Sequence, residues 1–157
     1  MLKTRHPPNP MFELIDELLR VNGRVKSLFA SVNARSGLLA METTVLTAVV
    51  ESHLAPTVPQ IGRSLGNPRQ VIQRAANTLI AAGLIETAPN PHHKRAPLLL
   101  ATRKGKLLKH RADALASEAT NALLRSISAR KCRRMAGEVR ELRSEIEAYL
   151  RSGKAKT

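Results

Sequence analysis

The side chains with the clearest chemical potential are five polar residues between positions 69 and 77: Arg69, Gln70, Gln73, Arg74 and Asn77. At 3.6 residues per turn they share one side of a helix, opposite Val71, Ile72, Ala75, Leu79 and Ile80. Arginine pairs with the major-groove edge of guanine, and glutamine and asparagine pair with that of adenine. No carboxylate falls between Glu51 and Glu86 to repel phosphate. A merely solvated helix face normally mixes charge signs, so the missing acids favour a base-reading face. A second basic group follows at His92, His93, Lys94 and Arg95, in a loop that can meet phosphate or enter a minor groove.

The elements that must position these groups are legible around them. Asn67 is expected to cap the helix, with Pro68 at its first position, Gln70 completing a capping box and Gly83 ending it. A short helix from Thr57 to Leu65-Gly66 precedes it, and one from about Glu42 to His53 comes before that. After Gly83, Leu84–Ala88 and Ala96–Ala101 read as two strands flanking the basic loop. Residues 1–9 read as a disordered arm, and Asn9-Pro10 as the start of a long first helix. Thr102 caps another helix, expected over about Arg103 to Ser128. A last helix over about Lys131 to Arg151 carries Met135, Val139, Leu142, Ile146 and Tyr149 at seam spacing.

Totals narrow the function classes. The 157 residues carry 26 Lys and Arg against 12 Asp and Glu, a formal charge of +14. Between Ser52 and Ala112 ten cations face one acid, Glu86. Such a surplus points to a polyanion. The only aromatics are Phe12, Phe29 and Tyr149, too few to stack single-stranded bases, so duplex DNA is the expected partner. Neither a membrane span nor a signal peptide is read. The single cysteine, Cys132, fits a reducing cytoplasm. Arg103, Lys104 and Lys106 sit in a helix's first turn, against its dipole, and suggest either a nearby phosphate or ordinary solubility charge.

No catalytic arrangement, cofactor motif or metal-ligand spacing emerges, so an enzyme is not expected. His92 and His93 lack a third ligand. Cys132 lies among Arg130, Lys131, Arg133 and Arg134, which favours thiolate, yet an incidental residue is the better reading. Three roles remain: a sequence-specific regulator, an architectural duplex binder with little sequence preference, and a protein-interaction module built on the seam helices.

The stretch Thr57–Glu86, with TVPQIGRSLGNPRQVIQRAANTLIAAGLIE, and Asn90–Gly105, with NPHHKRAPLLLATRKG, resemble the helix-turn-helix and wing of the MarR family. The resemblance covers roughly residues 35–110. It implies a mainly α fold with a small antiparallel β wing, a winged helix-turn-helix over 37–105, and terminal helices (10–36 and 106–152) that intertwine in a homodimer. It also implies binding to a pseudo-palindromic operator, and repression released by a small effector; Arg35 and His53 border the region where the family binds effectors, which is too little to assign them. The expected DNA contacts are Asn67, Pro68, Arg69, Gln70, Gln73, Arg74 and Asn77 on the helix, and His92, His93, Lys94 and Arg95 in the wing. Many members carry an aspartate two residues before the wing arginine. Here that position is His93, which puts the usual bracing ion pair in doubt and suggests a pH-sensitive phosphate contact. Glu42 and His110 are similar to a pair in zinc-sensing relatives, but two residues do not make a site.

Overall fold

Capping chemistry sets most element boundaries. The computed structural model describes residues 9–93 and 95–153, so the arm over residues 1–8 and the wing residue Lys94 lie outside the described residues. Asn9 Oδ1 accepts the N–H of Met11, Pro10 opens α1 (Pro10–Ser36), and Gly37 closes it at φ 71°. Helix α2 (Ala40–Glu51) starts where Glu42 Oε2 accepts the Leu39 N–H at 2.9 Å. Thr57 and Gln60 form a reciprocal capping box on α3 (Val58–Leu65), with Pro59 tolerated in its first turn. Helix α4 spans Arg69–Ala81, and strands β1 (Ile85–Ala88) and β2 (Leu98–Ala101) pair antiparallel with Ile85 opposite Ala101. The backbone before α3 extends the pairing, since Leu99 N–H donates to Pro56 O at 2.8 Å.

One apolar cluster joins these pieces. Val45, Leu46 and Val49 of α2 meet Val58 and Ile61 of α3, Ile72, Ala75, Ala76 and Leu79 of α4, and Leu84, Ile85 and Leu99 of the hairpin. The hairpin cannot stand alone and is held by this packing. Pro97 sits exposed just before β2, where no ladder hydrogen bond is required.

Helix α5 (Arg103–Leu124) ends earlier than the sequence suggests, because Ser128 is not part of it. The Ser128 hydroxyl instead accepts the Lys131 N–H and caps α6 (Ala129–Arg151). The chain divides into two compact units after Ala116, inside α5. In the second unit, α6 carries the expected Arg134–Glu138, Arg143–Glu147 and Arg151–Glu147 pairs. Its seam residues Met135, Val139, Ile146 and Tyr149 are exposed, and Leu142 is half-buried.

One buried charge ties α5 to α2. The Lys109 side chain is only 7% exposed, and its Nζ donates to Glu51 Oε1 at 2.9 Å and to both Asp113 oxygens at 2.6 Å. Burial alone disfavours the ammonium, but the hydrogen bonds from Asp113 and Glu51 outweigh it and hold the lysine above its ordinary range. The resulting stabilisation is complete below the unfolded lysine value of about 10.4 and is lost as pH rises through the folded value. Lys109→Met should therefore cost less than about 1.5 kcal/mol at neutral pH, a nearly volume-conserving exchange. Denaturant midpoints across roughly pH 9 to 12 check the sign. The native protein should lose stability relative to the variant there, and parallel curves would contradict the ion pair's role.

Candidate nucleic-acid interface

Helix α4 is clamped at both ends, which fixes the side chains between them. Gly66 adopts φ 63°, and Gly66 N–H and Asn67 N–H return to Arg63 O and Gly62 O, closing α3 tightly. The approach is close: a Cβ on Gly62 would lie 3.1 Å from Asn67 O. Asn67 is consequently not the cap of α4. Its Nδ2 donates to Leu65 O, Pro68 occupies the cap position, and no side-chain cap or Gln70 capping box forms. At the other end Gly83 takes φ 67°, with its N–H on Ile80 O and the Leu84 N–H on Leu79 O. Lys104 Nζ donates to Ala82 O at 2.8 Å, and Thr102 Oγ1 lies 2.8 Å from Gly83 O. The cation at Lys104 thus answers the carbonyl end of α4, a local purpose that is neither the phosphate contact nor the solubility charge open from sequence.

Between the clamps, Arg69, Gln70, Gln73, Arg74 and Asn77 are all exposed. Gln73 Nε2 donates to Asn77 Oδ1 at 3.0 Å, leaving Gln73 Oε1 and Asn77 Nδ2 to present one acceptor and one donor outward. That is the complement of an adenine edge. The buried stripe is Ile72, Ala75, Ala76 and Leu79, spaced three, one and three. Val71 and Ile80, expected in the core, are 40% and 36% exposed. Hydrophobicity placed them inside; the 3.6-residue period puts them at the stripe's edges.

The wing tip is organised by Asn90. Its Oδ1 accepts the His92 N–H and its Nδ2 donates to Ala96 O across the turn. His92, His93 and Arg95 are exposed there. No acid pairs with Arg95 among the described residues; instead His93 Nδ1 accepts the Arg95 backbone N–H at 3.3 Å. The replacement for the aspartate thus braces the wing through the backbone.

These features match known proteins. A family model described as the MarR family matches residues 36–96. That match spans the helix-turn-helix and the start of the wing, less than half of the chain. An uncharacterized protein of Mycobacterium tuberculosis is 43% identical over 96 residues, which are 61% of this chain and 61% of that protein. The chain therefore aligns with about three-fifths of that relative's length. Among solved structures, CouR of Rhodococcus jostii RHA1, bound to p-coumaroyl-CoA, superposes with a TM-score of 0.74 at 20% identity, covering 87% of this chain and 95% of that one. A mutant MarR from E. coli complexed with operator DNA gives 0.75 at 18%, covering 85% and 96%. The winged helix-turn-helix over α2 to β2 is thus the MarR-family fold.

The remaining sequence candidates are placed as follows. Among the described residues no three His, Cys, Asp or Glu groups converge on a metal-sized site. Glu42 is engaged at the start of α2, and Cys132 is exposed on α6. No helix among the described residues is long and apolar enough to cross a membrane. A cleft of about 270 Å³ lies between α1, α2 and α5, lined by Val25, Lys26, Phe29, Thr43, Thr44 and Asp113 among others. Its lining joins the Phe29 ring with one cation, Lys26, and one anion, Asp113, a combination that sequence spacing alone does not bring together.

Proposed function

We propose that the protein is a homodimeric, sequence-specific duplex-DNA-binding transcription regulator acting in the cytoplasm, a repressor released by a small effector. The observation that carries this reading is the acid-free α4 face of Gln70, Gln73, Arg74 and Asn77, held rigidly between two glycine-closed helix ends. The region 37–105 reads DNA, with Asn67, Pro68 and Arg69 at the helix entry and His92, His93, Lys94 and Arg95 in the wing. Regions 10–36 and 106–152 join two copies. Exposed Phe12, Ile15 and Leu19 on α1 and Met135, Val139 and Ile146 on α6 support that role, because they remain unburied in one chain. The α1–α2–α5 cleft suits an effector with an apolar body and a negative group near Lys26. The operator-bound and ligand-bound relatives support the same assignment by analogy of fold.

Anisotropy titrations of labelled duplexes test it. Affinity should fall steeply between about 50 and 200 mM salt and differ by at least ~10³ between preferred and random duplexes. Equal affinity for all duplexes would favour an architectural binder, and no binding at low salt an interaction module.

Val71 adds a reader that the sequence hid. Val71 is 40% exposed and stands three residues before Arg74 on α4, a position that suits contact with a thymine methyl in the groove. Replacing thymine by deoxyuridine within the preferred site should weaken native binding by about three- to five-fold at one position, the worth of one buried methyl. Val71→Ala should be insensitive to that exchange; equal sensitivity in both proteins would exclude the contact.

His93 holds the wing tip through its bond to the Arg95 N–H, so His93→Ala is expected to weaken duplex binding at fixed pH and salt; an unchanged affinity would remove His93 from the interface.

A further inference from the structure

Helix α4 and the wing are joined by Ala82, Gly83 and Leu84, which follow the last turn of the helix and lead straight into β1. Gly83 stands in the middle at φ 67°, without a Cβ to restrict its backbone. A joint of that kind lets the side chains of α4 and of the wing swing against each other unless something holds it. The N–H side is held locally, by Gly83 N–H on Ile80 O and Leu84 N–H on Leu79 O, both at 2.9 Å. The carbonyl side is held from the far end of the hairpin.

Each of the three carbonyls meets a donor from the junction of β2 and α5. Thr102 N–H donates to Leu84 O at 3.1 Å, and Thr102 Oγ1 lies 2.8 Å from Gly83 O and 3.0 Å from Leu84 O. Ala82 O, the carbonyl nearest α4, accepts from Lys104 Nζ at 2.8 Å. Lys104 is exposed and makes no ion pair among the described residues. Its charge thus meets the negative end of the α4 dipole with no carboxylate to share it. The base of the lysine is fixed as well, since the Gly105 N–H donates to Thr102 Oγ1 at 3.1 Å. The Lys104 bond spans 22 positions of the chain and closes a ring through the end of α4, both strands and the start of α5.

We propose that Lys104 is a positioning residue for DNA reading. By holding Ala82 O it fixes the angle between α4 and the wing, and so the register in which both meet one duplex. The lysine itself touches no phosphate; it acts through the helix it holds. This rests on the reading of α4 and the wing as the DNA-contacting elements, and adds a residue outside both that tunes preference among sequences rather than overall affinity.

The full-length protein is compared with Lys104→Met, which keeps the stem and the helix propensity but loses the donor. Lys104→Arg keeps both donor and charge. Without DNA, amide exchange of Gly83 and Leu84 should quicken by about three-fold or more in Lys104→Met, while Ile61 in α3 keeps its rate. Anisotropy titrations then set a duplex preferred in a selection against a random one. Lys104→Met should bind the preferred duplex about three- to ten-fold more weakly, the worth of one hydrogen bond. Its affinity for the random duplex and its salt slope should stay as in the native protein, and Lys104→Arg should restore exchange rates and preference together. Equal weakening on both duplexes, with a salt slope smaller by about 0.9, would make Lys104 a phosphate contact and overturn the proposal. Unchanged exchange rates, or native preference in Lys104→Met, would overturn it too. A native protein that prefers no duplex would instead sink the regulator reading, and the exchange rates alone would then decide whether Lys104 holds the joint.

Discussion

Replacing Gly105 by alanine is expected to cost about 3 kcal/mol or more and to lower the melting temperature by on the order of 10 °C. A Cβ at this position would be driven into the Leu84 carbonyl oxygen, with the Leu84 carbonyl carbon 2.9 Å away. Neither backbone is free to retreat. Leu84 O accepts the Thr102 N–H at 3.1 Å and lies 3.0 Å from Thr102 Oγ1, while the Gly105 N–H is tied to the same hydroxyl. Leu46 also packs within 3.4 Å of the added carbon. The alanine substitution thus pries α5 from the start of the wing and from the core together. Gly137, mid-way along α6 with nothing within 4 Å of its would-be Cβ, is the matched control. There alanine should stabilise by up to about 1 kcal/mol through helix propensity. Thermal unfolding of the two variants measures the contrast, and similar melting temperatures would contradict the close approach.

Arg74→Ala is expected to cost about 1–3 kcal/mol on the preferred duplex, roughly 5- to 150-fold in affinity, and much less on random duplexes. Arg74 stands exposed near the middle of α4 and makes no ion pair among the described residues. Its guanidinium is therefore available for a bidentate contact with a guanine edge. Competition titrations against both duplexes read the ratio directly. A uniform loss on every sequence would mark Arg74 as a phosphate contact instead.

What the sequence discloses depends on how local the governing interaction is. The starts of α1 and α3, the end of α3 at Gly66, the left-handed Gly83 and the two short strands of the wing all arise within a few residues, and all are legible, whereas the left-handed closure of α1 at Gly37 is not read from the sequence. The polar face of α4 is legible for the same reason. Asn67 misleads because two motifs compete for it: the closure of α3 takes its N–H, and its side chain turns back to Leu65. The break between α5 and α6 falls at Arg125–Ile127, with no glycine or proline to announce it. Tertiary partners are out of reach. Nothing near Lys104 names Ala82 as its acceptor, and nothing near Lys109 predicts a buried ammonium shared between Asp113 and Glu51, which lies on another helix. The His93 substitution is visible in sequence, but its backbone bond to Arg95 is not.

The most direct test of the central claim is selection of bound sequences from a random duplex pool by the full-length protein. Enrichment of an inverted repeat whose half-sites are centred about 10 base pairs apart is expected, as two copies of α4 in successive major grooves require. Recovery of no motif, or of single unpaired half-sites, would contradict it.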